Sequence, residues 1–162
     1  MNDIIELWKA AIRHEALTVN FYSRAAEVTR DDASRMLFLQ LAEMEGGHIQ
    51  ELLGQAAKAS CLKESDVDLA AYAAGLEDNG RYAFNTEDEQ AFLAGNMRTV
   101  LQLALGHELE AVKMYQQLAL KTLDEATKQF CLTQQENEKR HVHELETLLN
   151  SLELTPEDRP GL

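Results

Sequence analysis

Four glutamates and two histidines stand where charged side chains are costly, and their spacing suits the capture of metal ions. Glu45 and His48 form one Glu-x-x-His pair, Glu138 and His141 form another, and Glu15 and Glu108 are single acids in otherwise apolar rows. Side chains three apart on a helix share a face, so each pair can offer a carboxylate oxygen and an imidazole nitrogen to one region. One Glu-x-x-His alone is a weak signal, common on solvated helix faces. The set is stronger because it repeats: a shift of 93 positions carries Glu15 onto Glu108, Tyr22 onto Tyr115, Glu45 onto Glu138 and His48 onto His141. The same shift pairs His14 with His107, Glu43 with Glu136, Glu51 with Glu144 and Leu52 with Leu145. Chance explains any one match far more readily than a constant offset across the polar set.

Helical periodicity turns these acids inward. Ile4, Trp8, Ala11, Glu15, Val19, Tyr22 and Ala26 follow spacings of three and four, as do Phe38, Leu41, Glu45, His48 and Leu52. Leu101, Ala104, Glu108, Ala111, Tyr115 and Leu118 form a third row, and Cys131, Gln134, Glu138, His141, Leu145 and Leu148 a fourth. Burying an ionised carboxylate without compensation costs several kcal/mol, so four converging acids need a counter-charge. No Lys or Arg occupies a comparable core position in these rows, whereas two divalent cations balance four carboxylates. Carboxylate and imidazole donors without thiolate suit iron or manganese, and zinc or cobalt can use the same donors. Tyr22 and Tyr115, two turns beyond Glu15 and Glu108, are either hydrogen-bonding supports for the metal-binding carboxylates or core aromatics with satisfied hydroxyls. His14, His107 and His143 fall beside the inward rows and are read as edge or exposed residues without a ligand role.

The elements that must position these residues are four long helices, expected over residues 2–28, 32–59, 88–121 and 125–152. Apolar residues make up 45% of the 162-residue chain, with 8 glycines and only 2 prolines, which favours helix over strands and linkers. Short connections at Thr29-Arg30-Asp31-Asp32 and Thr122-Leu123-Asp124, both with acidic N-cap candidates, predict two antiparallel hairpins. The stretch between them, with Asp66 to Gly75 and the turn-like Asp78-Asn79-Gly80-Arg81, is long enough to cross a bundle and to include one short helix. One domain over residues 1–153 and a frayed tail over 154–162 complete the expected organisation.

On this evidence of two Glu-x-x-His pairs plus two single core acids, the chain resembles the rubrerythrin and ferritin-like di-iron carboxylate family across all four helices. The resemblance implies an all-α, ferritin-like four-helix bundle in which two hairpins are joined by a long crossover. It also implies two iron ions per chain, bridged by Glu45 and Glu138. Glu15 and His48 would complete one coordination sphere and Glu108 and His141 the other. The implied activity is reaction of the iron pair with hydrogen peroxide or dioxygen, as a rubrerythrin-like peroxidase or ferroxidase, with electrons from a separate donor protein. A non-catalytic, iron-handling or zinc- or manganese-holding bundle is the alternative. Three departures bear on this. No paired Cys-x-x-Cys of a rubredoxin module is present, Ala111 stands where rubrerythrins tend to carry a further carboxylate, and Gly46-Gly47 interrupts the first Glu-x-x-His. Ferritin cages generally add a short fifth helix after the fourth, for which about ten residues remain, so a homodimer is expected rather than a shell. Glycine costs roughly 1 kcal/mol per residue in a helix interior relative to alanine. The pair therefore marks a close approach by a neighbour, freedom for His48 to move, or a tolerated weakness.

A net charge of -13 without a Lys/Arg stripe argues against nucleic acid as partner. Cys61 and Cys131 lie far apart and belong to no Cys-x-x-Cys pair, so both are read as bystander thiols in a reducing compartment. The acidic N-terminus and the lack of a spanning apolar run lead to the expectation of a soluble, cytoplasmic protein with no membrane partner.

Overall fold

The computed structural model describes residues 2–59, 62, 67–78, 90, 92 and 94–153. Among them are five helices and no strand: α1 (Asn2–Val28), α2 (Asp32–Ala56), α3 (Leu69–Asp78), α4 (Met97–Lys121) and α5 (Glu125–Glu153). None is long and apolar enough to cross a membrane. Cys61, most of the Asp78–Arg81 turn and the tail over 154–162 lie outside the described residues.

Helix ends are set by local hydrogen bonding. Asp31 caps α2 by accepting from the Ser34 amide at 2.8 Å and its hydroxyl at 2.7 Å. Asp124 caps α5 likewise, accepting from the Thr127 amide at 2.8 Å and its hydroxyl. The two caps sit at equivalent positions of the repeat, which therefore extends into the turns. The expected third segment, 88–121, is helical at the described residues 90, 92 and 94 but is interrupted before α4 starts at Met97, because Gly95 adopts φ 63° and Asn96 caps the new helix through the Thr99 amide at 3.3 Å. Only glycine takes that left-handed conformation without strain, so the chain breaks there. The second segment, expected to reach residue 59, ends at Ala56, where the last turn tightens through a Lys58 amide bond to the Gln55 carbonyl at 3.0 Å.

Four long helices form a ring in which α1 packs on α2, α2 on α5, α5 on α4 and α4 on α1. At one end Ile5, Trp8 and Ile12 of α1 meet Leu52 and Ala56 of α2, Tyr115 and Leu118 of α4, and Cys131 of α5. At the other, Phe21, Tyr22 and Ala26 meet Phe38, Leu41, Leu101, Ala104 and Leu145. The start of α1 thus lies beside the ends of α2 and α4 and the start of α5. Helices α1 and α5 therefore run one way, α2 and α4 the other. Leu62, Leu69 and Ala73 join the first cluster while Phe92 and Val100 join the second, so the connection from α2 to α4 travels the length of the bundle. Within it, α3 packs on α1, and the Arg13 side chain donates from Nε to the Tyr72 hydroxyl at 3.0 Å.

The inward rows follow the sequence pattern with small shifts. In α1 it is Ile5, not Ile4, that is buried at the first turn, and Val19 is only half-buried. The core consequently has two apolar layers with a polar layer between them, and that layer is where the chemistry lies.

Candidate metal centre

Glu15, Glu45, His48, Glu108, Glu138 and His141 all lie in the middle layer, and none is more than 5% exposed. They form two overlapping quartets, Glu15–Glu45–His48–Glu138 and Glu45–Glu108–Glu138–His141, in each of which donor atoms lie within 4.8 Å of one another. Glu45 and Glu138 belong to both. Each places one oxygen toward each histidine: Nδ1 of His48 is 2.9 Å from Glu45 Oε2 and 2.9 Å from Glu138 Oε1, while Nδ1 of His141 is 2.9 Å from Glu45 Oε1 and 3.1 Å from Glu138 Oε2. The remaining acids stand further off, Glu15 at 3.9 Å from His48 and Glu108 at 3.5 Å from His141. The two imidazoles stack at 5.6 Å with planes 15° apart. The structure thus brings together all six residues singled out in the sequence.

A proton cannot satisfy this arrangement. An imidazole Nδ1–H points in one direction, yet several carboxylate oxygens converge on it. Among the described residues, Glu15 Oε2, Glu45 Oε1, Glu108 Oε2, both oxygens of Glu138 and both nitrogens of His141 are buried with close neighbours but no aligned hydrogen-bond partner. So many buried polar atoms without an aligned partner in one layer are costly, and cations among them would accommodate the carboxylate oxygens and Nδ1 of His141. Oxygen and imidazole donors at this spacing could hold metal ions.

Protonation in the metal-free protein follows from burial and mutual contact. Burial, reinforced by the charge of Glu45, raises Glu15 well above the carboxylate range, and burial raises Glu108 to about 8. Burial also opposes ionisation of Glu45 and Glu138, but contacts with His141 and His48 overcome it and hold both below the usual range. Burial alone would lower the histidines; instead, Glu138, Glu15 and Glu45 raise His48, while Glu108, Glu138 and Glu45 push His141 up to about 12. Imidazolium is thus favoured facing the two shared carboxylates, while Glu15 and Glu108 resist ionisation. Two divalent cations balance the four carboxylates when all six groups are deprotonated.

The tyrosines reach across the bundle. The Tyr22 hydroxyl donates to Glu108 Oε1, and the Tyr115 hydroxyl donates to Glu15 Oε1. Each tyrosine thus serves the acid of the other hairpin, a pairing that spacing along one helix could not reveal. Burial, then the adjacent carboxylate charge, raises both phenols well above their ordinary value.

The edge histidines are less idle than expected. His14 and His107 are half-buried, with His14 Nε2 at 2.9 Å from the His107 carbonyl oxygen, and only His143 is exposed. A β-carbon at Gly46 or Gly47 would meet nothing within 4 Å, which removes the close approach by a neighbour as the reason for that pair. Cys131 is buried, and burial pushes its thiol up to about 12, in keeping with an inert core residue. No family model, curated protein or solved structure matches the chain.

Proposed function

We propose that this protein is a ferritin-like di-iron oxidoreductase of rubrerythrin type, reacting with hydrogen peroxide or dioxygen and drawing electrons from a separate donor protein. The observation that carries the reading is the pair of fully buried quartets sharing Glu45 and Glu138. Helix directions and the long crossover support a ferritin-like arrangement, since that connectivity separates such bundles from up-down bundles with three short loops.

In this reading Glu15 and His48 would hold one iron and Glu108 and His141 the other, with Glu45 and Glu138, common to both quartets, available to each. When bound, the iron pair supplies two electrons and Lewis acidity to the oxidant. The chain's own groups prepare the site for that chemistry. Trp8, Leu52, Leu118 and Cys131 below, and Phe38, Leu101 and Leu145 above, are fully buried layers that exclude water and lower the local dielectric. Tyr22 and Tyr115 hold Glu108 and Glu15 in place. Ala111 is 2% exposed, so no seventh acid is offered one turn beyond Glu108, and a peroxidase cycle needing that ligand is disfavoured relative to one using six.

An anaerobic Fe(II) titration of the metal-free protein, followed by separate mixing with hydrogen peroxide and dioxygen, tests the reading. Two irons per chain are expected, with oxidation by one oxidant much faster than by the other. Faster reaction with peroxide marks a peroxidase and faster reaction with dioxygen a ferroxidase. Loading without turnover in the presence of a reductant would replace the enzyme by an iron-handling protein, and failure to bind iron would end the redox reading.

A further inference from the structure

The repeat gives the metal-facing residues of one half counterparts in the other, and the seam between α2 and α5 departs from that symmetry. Between α2 and α5 lies a groove of about 400 Å³, lined by Glu51, Gly54, Gln55, Lys58, Phe130, Thr133 and Gln134. The shift of 93 positions maps these, Lys58 aside, onto Glu144, Thr147, Leu148, Leu37, Gln40 and Leu41. At that counterpart Leu41 is completely buried, and Leu37 and Leu148 pack onto the same apolar cluster. The α2–α5 seam is therefore sealed by leucines at one end and open at the other, where Glu51, Gln55, Lys58, Thr133 and Gln134 surround Phe130.

Gln134 is the residue that makes the difference. It is 3% exposed where its counterpart is leucine, and a buried amide is costly unless hydrogen-bonded. Its Nε2 donates to the Glu51 carboxylate in the groove, and its Oε1 accepts from Asn137 at 3.2 Å. Glu51 lies one turn beyond His48, and Gln134 one turn before Glu138. A polar row thus leads from solvent to the quartet of Glu15, Glu45, His48 and Glu138. The same quartet contains the more accessible histidine, His48 at 5% exposure against 0% for His141.

We propose that this groove admits hydrated divalent cations to the centre, with Glu51 the first carboxylate met and Gln134 the amide that passes the ion inward, so that the Glu15–His48 position fills before the Glu108–His141 position. The inference rests on the metal-centre reading. A dication entering a protein must replace the waters it sheds with oxygen ligands, and Glu51, Gln55, Thr133 and Gln134 supply oxygens along the way. An uncharged oxidant needs neither the carboxylate nor the amide. The net charge of -13 draws cations toward the surface generally, and in the groove the Glu51 carboxylate offsets the charge of Lys58 in the turn that follows α2.

The experiment is rapid mixing of the full-length, metal-free protein with Co²⁺, following the visible absorption of the bound ion. A β-carbon at Gly54 meets nothing within 4 Å, so Gly54→Trp starts a bulky side chain into the groove without a clash at its root, and Thr147→Trp is the matching change at the sealed end. Gly54→Trp and Gln134→Leu are expected to slow loading at least about tenfold while two Co²⁺ still bind at equilibrium, with Thr147→Trp loading at the parental rate. Parental rates in both groove variants, or equal slowing by Thr147→Trp, would overturn the path while leaving the centre intact. A parental protein that binds no Co²⁺ at equilibrium would overturn the centre and the path together.

Discussion

In the second hairpin the turn between Glu138 and His141 carries Lys139 and Arg140, whose side chains bond to Glu136 and Asn137 on their own helix. In the first hairpin the same turn carries Gly46 and Gly47, with open space where their side chains would be. The metal-facing atoms of the two halves are matched all the same. His48 and His141 make the same set of contacts with the shared acids, and the tyrosine bonds cross in both directions. The repeat is thus strict where donors converge and relaxed one helical face away. Coordination fixes side-chain type and direction together, while a solvated or half-buried face asks only for compatibility with helix. The difference teaches that the centre is a two-fold object set in a scaffold that is two-fold only where the centre requires it.

The largest effect should come from acids that serve both halves. Glu138→Ala and Glu45→Ala are each expected to abolish tight binding of a metal pair, whereas Glu15→Ala and Glu108→Ala should each retain one metal. Equilibrium dialysis with elemental analysis distinguishes these outcomes, given circular dichroism spectra showing that the helices persist. Two tightly retained metals in Glu138→Ala would break the shared-acid geometry.

Next in size is the dependence on pH, whose sign differs between the metal-free and loaded forms. Glu15 and Glu108 have folded-state values raised above 4.5, so the stability they give is complete below that pH and is lost as pH rises, at Glu108 through about 8. His48 and His141 are raised above 6.5 and act in the same direction over a higher range. Glu45 and Glu138 are depressed and act oppositely, but their stabilisation is lost only below 4.5. Between pH 5 and 8 the melting temperature of the metal-free protein should therefore fall, by roughly 5–10 °C. Metal displaces protons from the raised groups of this cluster, so the increment in melting temperature on adding Zn²⁺ should grow over the same interval. Calorimetric scans with and without Zn²⁺ read both slopes. A metal-free melting temperature that rises from pH 5 to 8 would contradict the protonation pattern.

Much of this was legible before any coordinates. Four helices, the hairpin turns and the six inward residues could be read because a buried charge inside an apolar row is conspicuous at helical spacing. The start of α4 was missed, although Gly95-Asn96 carried the signal, because the apolar pattern runs on through the break. The repeated caps, Asp31 with Ser34 and Asp124 with Thr127, were there to be found in the same offset that exposed Glu15 and Glu108. What spacing could not give was the crossing of Tyr22 to Glu108 and Tyr115 to Glu15, or the bond from Gln134 to Glu51. Those depend on which helices are neighbours across the ring, and a single chain's periodicity is silent on that.

The crossed tyrosines offer a smaller and more selective test of the two-fold centre. Tyr22→Phe removes the bond to Glu108, so the position of Glu108 and His141 should weaken while that of Glu15 and His48 is untouched. Tyr115→Phe should do the reverse. A hydrogen bond to a charged group contributes about 1.5–3 kcal/mol, which is roughly 10- to 100-fold in affinity at one position. Stepwise Co²⁺ titration resolves the two positions if they fill in sequence. Equal weakening of both steps in both variants would show that the tyrosines support the layer as a whole.

The smallest effect concerns the glycine pair, where the halves differ most. Alanine at Gly46 or Gly47 finds no atom within 4 Å, so the substitutions gain helix propensity without a packing penalty. Each should raise metal-free stability by about 1 kcal/mol. Urea unfolding measures this, with an unchanged slope showing that the same surface is exposed. The informative quantity is metal release from the Glu15–His48 position in the same variants. If α2 must flex at Gly46-Gly47 for His48 to let go, release slows as stability rises. If release follows the parental rate, the glycines are a tolerated weakness, and His48 is held as firmly as His141 despite its looser surroundings.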